Sequence, residues 1–395
     1  MSKPIDKTAF FKALELELSN AASPATSLRE RLSEAKRDLA PFFENPARLT
    51  EALNVGALTY EHAFLRARAS SPRYAATVSR LLAEFREARD KDSGSFYRFW
   101  ANRMAITDQA IKNTACVVTL QNNKTDLEFS VLVKSYFRDV GDLLEGSLQP
   151  LLRLRLEVWE LLGRRRSGAP TVKSMTFGTV VDELLSDPLS EENYRPLPHR
   201  ISASQWRNIA HHNSYNVTGT QVTCSYGAHT HQKEVRLSLD ELVSTFLSLS
   251  DVFYAHKVAV KFFGVDNLME LTPHAPAVTV SNYSHNTLLA YGLVGAGFTV
   301  EYAEQSSGLW SLVLIDRQGR NRRDSKSALQ DAIYSYLLFV NPMEFRVVVQ
   351  SQSEVFRFGF VGSLARKDQP LPANFSGDVL SVEESFQLGD RKASE

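Results

Sequence analysis

Between Ser202 and Tyr215 the chain reads Ser-Ala-Ser-Gln-Trp-Arg-Asn-Ile-Ala-His-His-Asn-Ser-Tyr. No other window is as dense in groups that do chemistry near neutral pH: a guanidinium, an asparagine amide, two imidazoles and a phenol. Histidine changes charge near pH 7 and can move a proton. Arginine stays charged and offers a planar fork to two phosphate oxygens. Cleaving RNA by its own 2′-hydroxyl needs both: a base or acid, and a fixed cation against the charge that builds on phosphorus. That chemistry requires no metal, and no cofactor is called for. Asn208 would orient the histidine or a phosphate oxygen.

An element must hold these groups. Ser202 followed by Gln205 is a capping-box pattern, so a helix is expected to begin there. Trp206, Ile209 and Ala210 make its apolar face. Arg207 and His211 are four apart, as are Asn208 and His212, and these polar pairs line the remaining faces. Residues five apart on a regular helix point about 140° from each other. Arg207 and His211 therefore converge readily, whereas Arg207 and His212 converge only if the helix unwinds near Asn213-Ser214.

The bulk numbers bound the rest. A chain of 395 residues is long for one core, so two or three domains are expected. Its 43% apolar and 23% charged residues are ordinary for a globular protein. Lys plus Arg and Asp plus Glu both number 45, which argues against coating nucleic acid by bulk charge and leaves local basic patches open. Cys116 and Cys224 stand apart with no CxxC, which suits a reducing cytoplasm and excludes a cysteine zinc site. The N-terminus lacks a signal-peptide core, and the apolar run 287–300 is broken by glycines and too short to span a bilayer, so no membrane partner is expected.

Along the chain, residues 1–125 read as a helical accessory domain, with apolar stripes through Leu28, Leu32, Ala35, Leu39 and through Val78, Leu81, Leu82, Phe85. Residues 126–264 read as a helical bundle. A long helix is expected from about 127 to 162, divided near Pro150, then a short helix over 175–185, the Arg-Asn helix, strands over 220–226 and 234–239, and a last helix over 240–263. Residues 265–370 read as an α+β domain in the order β-α-β-β-α-β-β, suggesting a ferredoxin-like sandwich with one extra strand. Residues 371–395 read as a polar tail.

The run Arg207-Asn208-Ile209-Ala210-His211-His212 resembles the signature of the HEPN superfamily: arginine, often asparagine, then histidine after four intervening residues. The order of its surroundings is similar too, over roughly 127–263. The resemblance implies a HEPN-like bundle with a β-hairpin insertion, acting as a metal-independent endoribonuclease of toxin-like or antiphage type. It assigns the catalytic histidine to His212, while helix geometry keeps His211 in play. It also implies a homodimer in which two motifs form one composite cleft for RNA, and a trigger protein or antitoxin as a partner. Some similar proteins carry a tyrosine two residues past the histidine that a partner nucleotidyltransferase modifies; Tyr215 lies three past His212. Many HEPN-like domains are non-catalytic, which leaves a dimeric module binding nucleotide, RNA or protein as the alternative.

Two basic runs are RNA-contact candidates. Arg164, Arg165 and Arg166 end the long helix, where cations also suit the macrodipole. Arg320, Arg322 and Arg323 lie in a loop near Trp310 and Tyr302, which offer stacking faces. His229 and His231 could share a zinc ion but lack a third ligand of obvious spacing, and a hairpin tip is the simpler assignment.

Overall fold

The computed structural model describes residues 28–54, 58–121, 127–187, 190–227, 231–274, 296–306, 309–337, 343–351 and 354–362, with Leu289 and Leu293. These residues are mainly helical, with a small C-terminal mixed sheet of four strands. Two compact units emerge. The larger comprises Leu28–Asn54 and Glu61–Thr279; the smaller includes everything from Val280 on. Among the described residues no helix is long and apolar enough to cross a membrane.

The larger unit begins with α1 (Leu28–Leu39), α2 (Pro46–Asn54), α3 (Thr59–Ala67), α4 (Pro72–Lys91) and α5 (Ser93–Gln121). It continues with α6 (Phe129–Asp142), α7 (Gln149–Leu162), α8 (Phe177–Leu184), the short α9 (Glu191–Tyr194), α10 (Ala203–His212), α11 (Leu239–Asp266) and the short α12 (Leu268–Leu271). The boundary expected at 125/126 falls inside this unit. The reason is α11, whose buried residues include Leu242, Phe253, Phe262 and Phe263. Such a helix needs apolar cover on several sides, and α4 of the N-terminal stretch packs along it. Phe85 of α4, Trp100 of α5 and Phe263 of α11 form one aromatic cluster, with ring centroids 4.6–5.8 Å apart.

A buried polar junction ties the same helices together. The Arg155 side chain of α7 is 4% exposed, so its charge requires partners. Glu84 of α4 takes a two-pronged pair from it at 2.7 and 2.8 Å. Ser190 at 2.9 Å and the Tyr194 hydroxyl at 3.2 Å accept the remaining Arg155 donor. That hydroxyl lies 3.1 Å from His256 Nε2, and His256 Nδ1 lies 2.9 Å from the Val252 carbonyl. Since a carbonyl only accepts, Nδ1 carries the proton and Nε2 accepts from Tyr194. Burial pushes the His256 imidazole down to about 4, so it is neutral in the folded protein.

The long helix expected over 127–162 is two helices joined by a π-helical segment, Leu143–Leu148. Pro150 then sits at the start of α7, where it has no N–H to give the Gly146 carbonyl four residues back. The expected hairpin is a three-stranded antiparallel sheet, β1 (Tyr215–Thr218), β2 (Gln221–Tyr226) and β3 (Lys233–Leu237). The extra strand exists because α10 stops abruptly at Asn213, which adopts the left-handed conformation (φ 49°) as its C-cap. The chain then pairs at once with β2.

In the smaller unit, β4 (Phe298–Ser306), β5 (Leu309–Asp316), α13 (Arg322–Leu337), β6 (Met343–Gln350) and β7 (Val355–Gly362) form a sheet in sequential order. The middle pair, β5 and β6, is parallel and connected through α13; the outer pairs are antiparallel. The strand expected over 277–281, most of the helix expected over 286–296, and the tail 371–395 lie outside the described residues.

Candidate functional site: an arginine and a histidine on one carboxylate

Helix α10 is set by its apolar face. Trp206 and Ile209 are each 1% exposed, and α10 packs on α6, α8 and β2. Ser202 Oγ accepts the Gln205 N–H at 3.4 Å, one half of the expected capping box. The other half is absent, because Gln205 Oε1 instead accepts the Gly227 N–H at 3.0 Å and anchors the end of β2 to the start of the helix. At the far end Tyr215 stacks on Phe137 of α6, with centroids 4.1 Å apart and planes 17° from parallel. Burial first, and the Cys224 thiol second, raise the Tyr215 hydroxyl above its ordinary value.

With α10 held at both ends, its polar face meets the π-helical segment. Glu145 projects from that segment and joins two residues of the motif. Arg207 donates from Nε to Glu145 Oε1 and pairs with the same oxygen through Nη2. His211 Nε2 lies 3.1 Å from Glu145 Oε2. Arg207 Nη1 donates to Asn208 Oδ1 at 3.1 Å. The three side chains stay accessible: Arg207 is 31%, Glu145 33% and His211 37% exposed.

Two glycines lie at this approach. A Cβ on Gly141 of α6 would stand 3.4 Å from His211 Nε2 and 3.5 Å from the Ala210 methyl, in van der Waals contact with both. Gly146 follows Glu145, and its carbonyl accepts from Asn113 Nδ2 of α5 at 2.9 Å. Asn113 thereby satisfies a carbonyl in the stretch where the ordinary helical ladder is interrupted.

The structure thus brings Arg207, Asn208 and His211 together and leaves His212 apart. His212 is exposed and makes no hydrogen bond or ion pair with a described residue. This is the geometry of residues four rather than five apart on a regular helix, which holds because α10 stays helical through His212. Glu145 is the residue that sequence reasoning missed. One acid within an apolar helix pattern carries no signal, and the π segment that aims it cannot be read from hydrophobic spacing.

The basic runs separate into two kinds. Arg165 is 8% exposed in its side chain and bound to Glu183 at 2.9 and 3.1 Å and to the Pro170 carbonyl. Arg320 grips Asp316 and the Ala296 carbonyl and lies over the Phe298 ring. Burial presses the Asp316 carboxyl upward, but bonds from Arg320 and neighbouring donors hold it below its usual range. Both arginines are structural, since each neutralises an acid at a turn. Arg164 is half-exposed and pairs with Glu87. Arg166, Arg322 and Arg323 are exposed. Trp310 is fully buried and closed to stacking, because β5 alternates and turns it into the core; Tyr302 is 44% exposed. His229 lies outside the described residues, and among those described no three His, Cys, Asp or Glu cluster as a metal would need.

Glu145 also forms one wall of a cleft of about 270 Å³ between α5, the start of α7 and the turn at 172–174. Arg103, Arg153 and Lys173 line it. Comparisons with protein-family models, with curated proteins and with solved structures find no match to this chain.

Proposed function

We propose that this chain is an RNA-cleaving module of HEPN type, with Arg207 and His211 as the working pair of each protomer. The observation that carries the reading is the convergence of Arg207, itself bonded to Asn208, and His211 on one accessible carboxylate beside a cation-lined cleft. A carboxylate bound by a guanidinium fork and an imidazole occupies the place a phosphate would take, because both anions offer the same oxygens to the same donors. In the reaction, His211 accepts the proton of the 2′-hydroxyl, whose oxygen attacks phosphorus. The 5′-oxygen leaves and takes up a proton, and a 2′,3′-cyclic phosphate remains. Arg207 holds the non-bridging oxygens as charge builds on them. A second copy of the chain completes the cleft and supplies the acid for the leaving group; a trigger or antitoxin protein controls it. The HEPN-like bundle belongs to this proposal; the direct pairing of β5 with β6 is not the split order of a ferredoxin-like sandwich.

A second reading has its own observation. Arg207 is already neutralised by Glu145, as in a structural network. In that case the chain is a non-catalytic dimeric module for nucleotide, RNA or protein.

The test is incubation with mixed RNA in the presence of EDTA, with product ends analysed. Cleavage leaving cyclic phosphates, lost in Arg207→Ala and His211→Ala and retained in His212→Ala, supports the assignment. Cleavage lost in His212→Ala and kept in His211→Ala moves the role to His212. No cleavage by the wild-type dimer favours the second reading.

A further inference from the structure

The cleft beside Glu145 has a mixed lining with a definite chemistry. Part of its lining is apolar, from Ile106, Pro150 and Val172. At its edge Gln149, half-buried, makes no side-chain hydrogen bond with a described residue, so both its donor and its acceptor are available. The charges do not cancel. Arg103 is held by Glu157 through two bonds of 2.7 Å and counts as neutral. Glu145 belongs to Arg207 and His211. Arg153 donates one Nη to the Met175 carbonyl at 2.7 Å, which leaves its charge uncompensated, and its buried Nε has no partner among the described residues. Lys173 is exposed at the rim and pairs with no described acid.

We infer that this cleft is a subsite for one nucleotide of the RNA, next to the phosphate held at Arg207. The apolar lining takes a base face, the Gln149 amide meets the base edge, and Arg153 with Lys173 holds the adjoining phosphate. A volume of about 270 Å³ is just below the ~300–1,000 Å³ of drug-sized sites, room for one base and its sugar rather than an oligonucleotide. The shared wall at Glu145 makes the cleft continuous with the catalytic cluster, so the base it holds would select where the chain cuts. This subsite rests on the reading of the cluster as an RNA site, but the two fail separately.

The experiment is equilibrium binding of the four ribonucleoside 5′-monophosphates to the full chain, with inorganic phosphate and the free nucleosides as separate arms. At least one nucleotide binds saturably, and more tightly than phosphate or its own nucleoside. Lys173→Glu and Ile106→Asp both alter exposed side chains (Ile106 is 45% exposed) and should melt as wild type does. Each weakens that binding roughly tenfold, as loss of a charge-assisted bond or of an apolar base contact predicts. Arg207→Ala loses RNA cleavage and keeps nucleotide binding. The subsite is overturned if no nucleotide saturates, if phosphate alone binds as well as the nucleotide, if both rim variants bind unchanged, or if Arg207→Ala abolishes binding. Nucleotide binding without any RNA cleavage would uphold the subsite and remove the nuclease; cleavage without nucleotide binding would do the reverse.

Discussion

Glu145→Gln is the sharpest test of how the cluster works. The substitution keeps size and an oxygen but removes the charge that Arg207 and His211 share. All three side chains are about one-third exposed, so water screens their attraction. An ion pair in that setting contributes about 0.2–1 kcal/mol, well short of the 3–5 kcal/mol for breaking a buried one. Melting should therefore shift by only a few degrees at most. The same ~1 kcal/mol is what a phosphate must overcome to displace the carboxylate, and removing it strengthens RNA binding by about fivefold. The expected result in steady-state cleavage of a short labelled RNA is a KM lowered about fivefold with kcat little changed. A fall in kcat of about 100-fold with an unchanged melting curve would refute the reasoning, because Glu145 would then take part in the chemistry instead of competing with substrate. An unchanged KM would also refute it, showing that the carboxylate does not occupy the phosphate position.

Two further predictions concern the scaffold. His256 has its folded-state value depressed to about 4 by burial, against an ordinary 6.5, so between those values the unfolded chain binds the extra proton. Stability is full above about pH 6.5 and is lost as pH falls toward 4; between pH 7 and 5 the loss is about 2 kcal/mol, and urea titrations should show His256→Gln with a shallower pH dependence. An equal slope in the variant would place the acid sensitivity elsewhere. Gly227 has φ 102°, and a Cβ there would stand 2.7 Å from the His231 carbonyl oxygen. Gly227→Ala should cost about 1–3 kcal/mol in chemical denaturation and loosen the turn that holds Gln205; wild-type stability would show that the turn relaxes freely.

Hydrophobic spacing and caps were enough to place most elements. Trp206 and Ile209 specified which face of α10 is buried, and Ser202 specified where it starts, because periodicity and capping act within a few residues. The strands of the C-terminal sheet were readable for the same reason: β5 alternates strictly between faces. Local pattern could not decide the partners. Nothing near Arg155 in sequence announces that Glu84, some seventy residues earlier, neutralises it, and so nothing announced that the N-terminal helices share a unit with the motif. Nothing near Arg207 points to Glu145, and nothing in the two basic runs separates the structural Arg165 and Arg320 from the exposed Arg166 and Arg323. By itself, then, the sequence determined the motif, the helix that bears it and the face it shows. Tertiary structure decided which histidine stands beside the arginine and which acid closes the cluster, because a charge is satisfied by whatever packing brings within about 3–4 Å, at any distance along the chain.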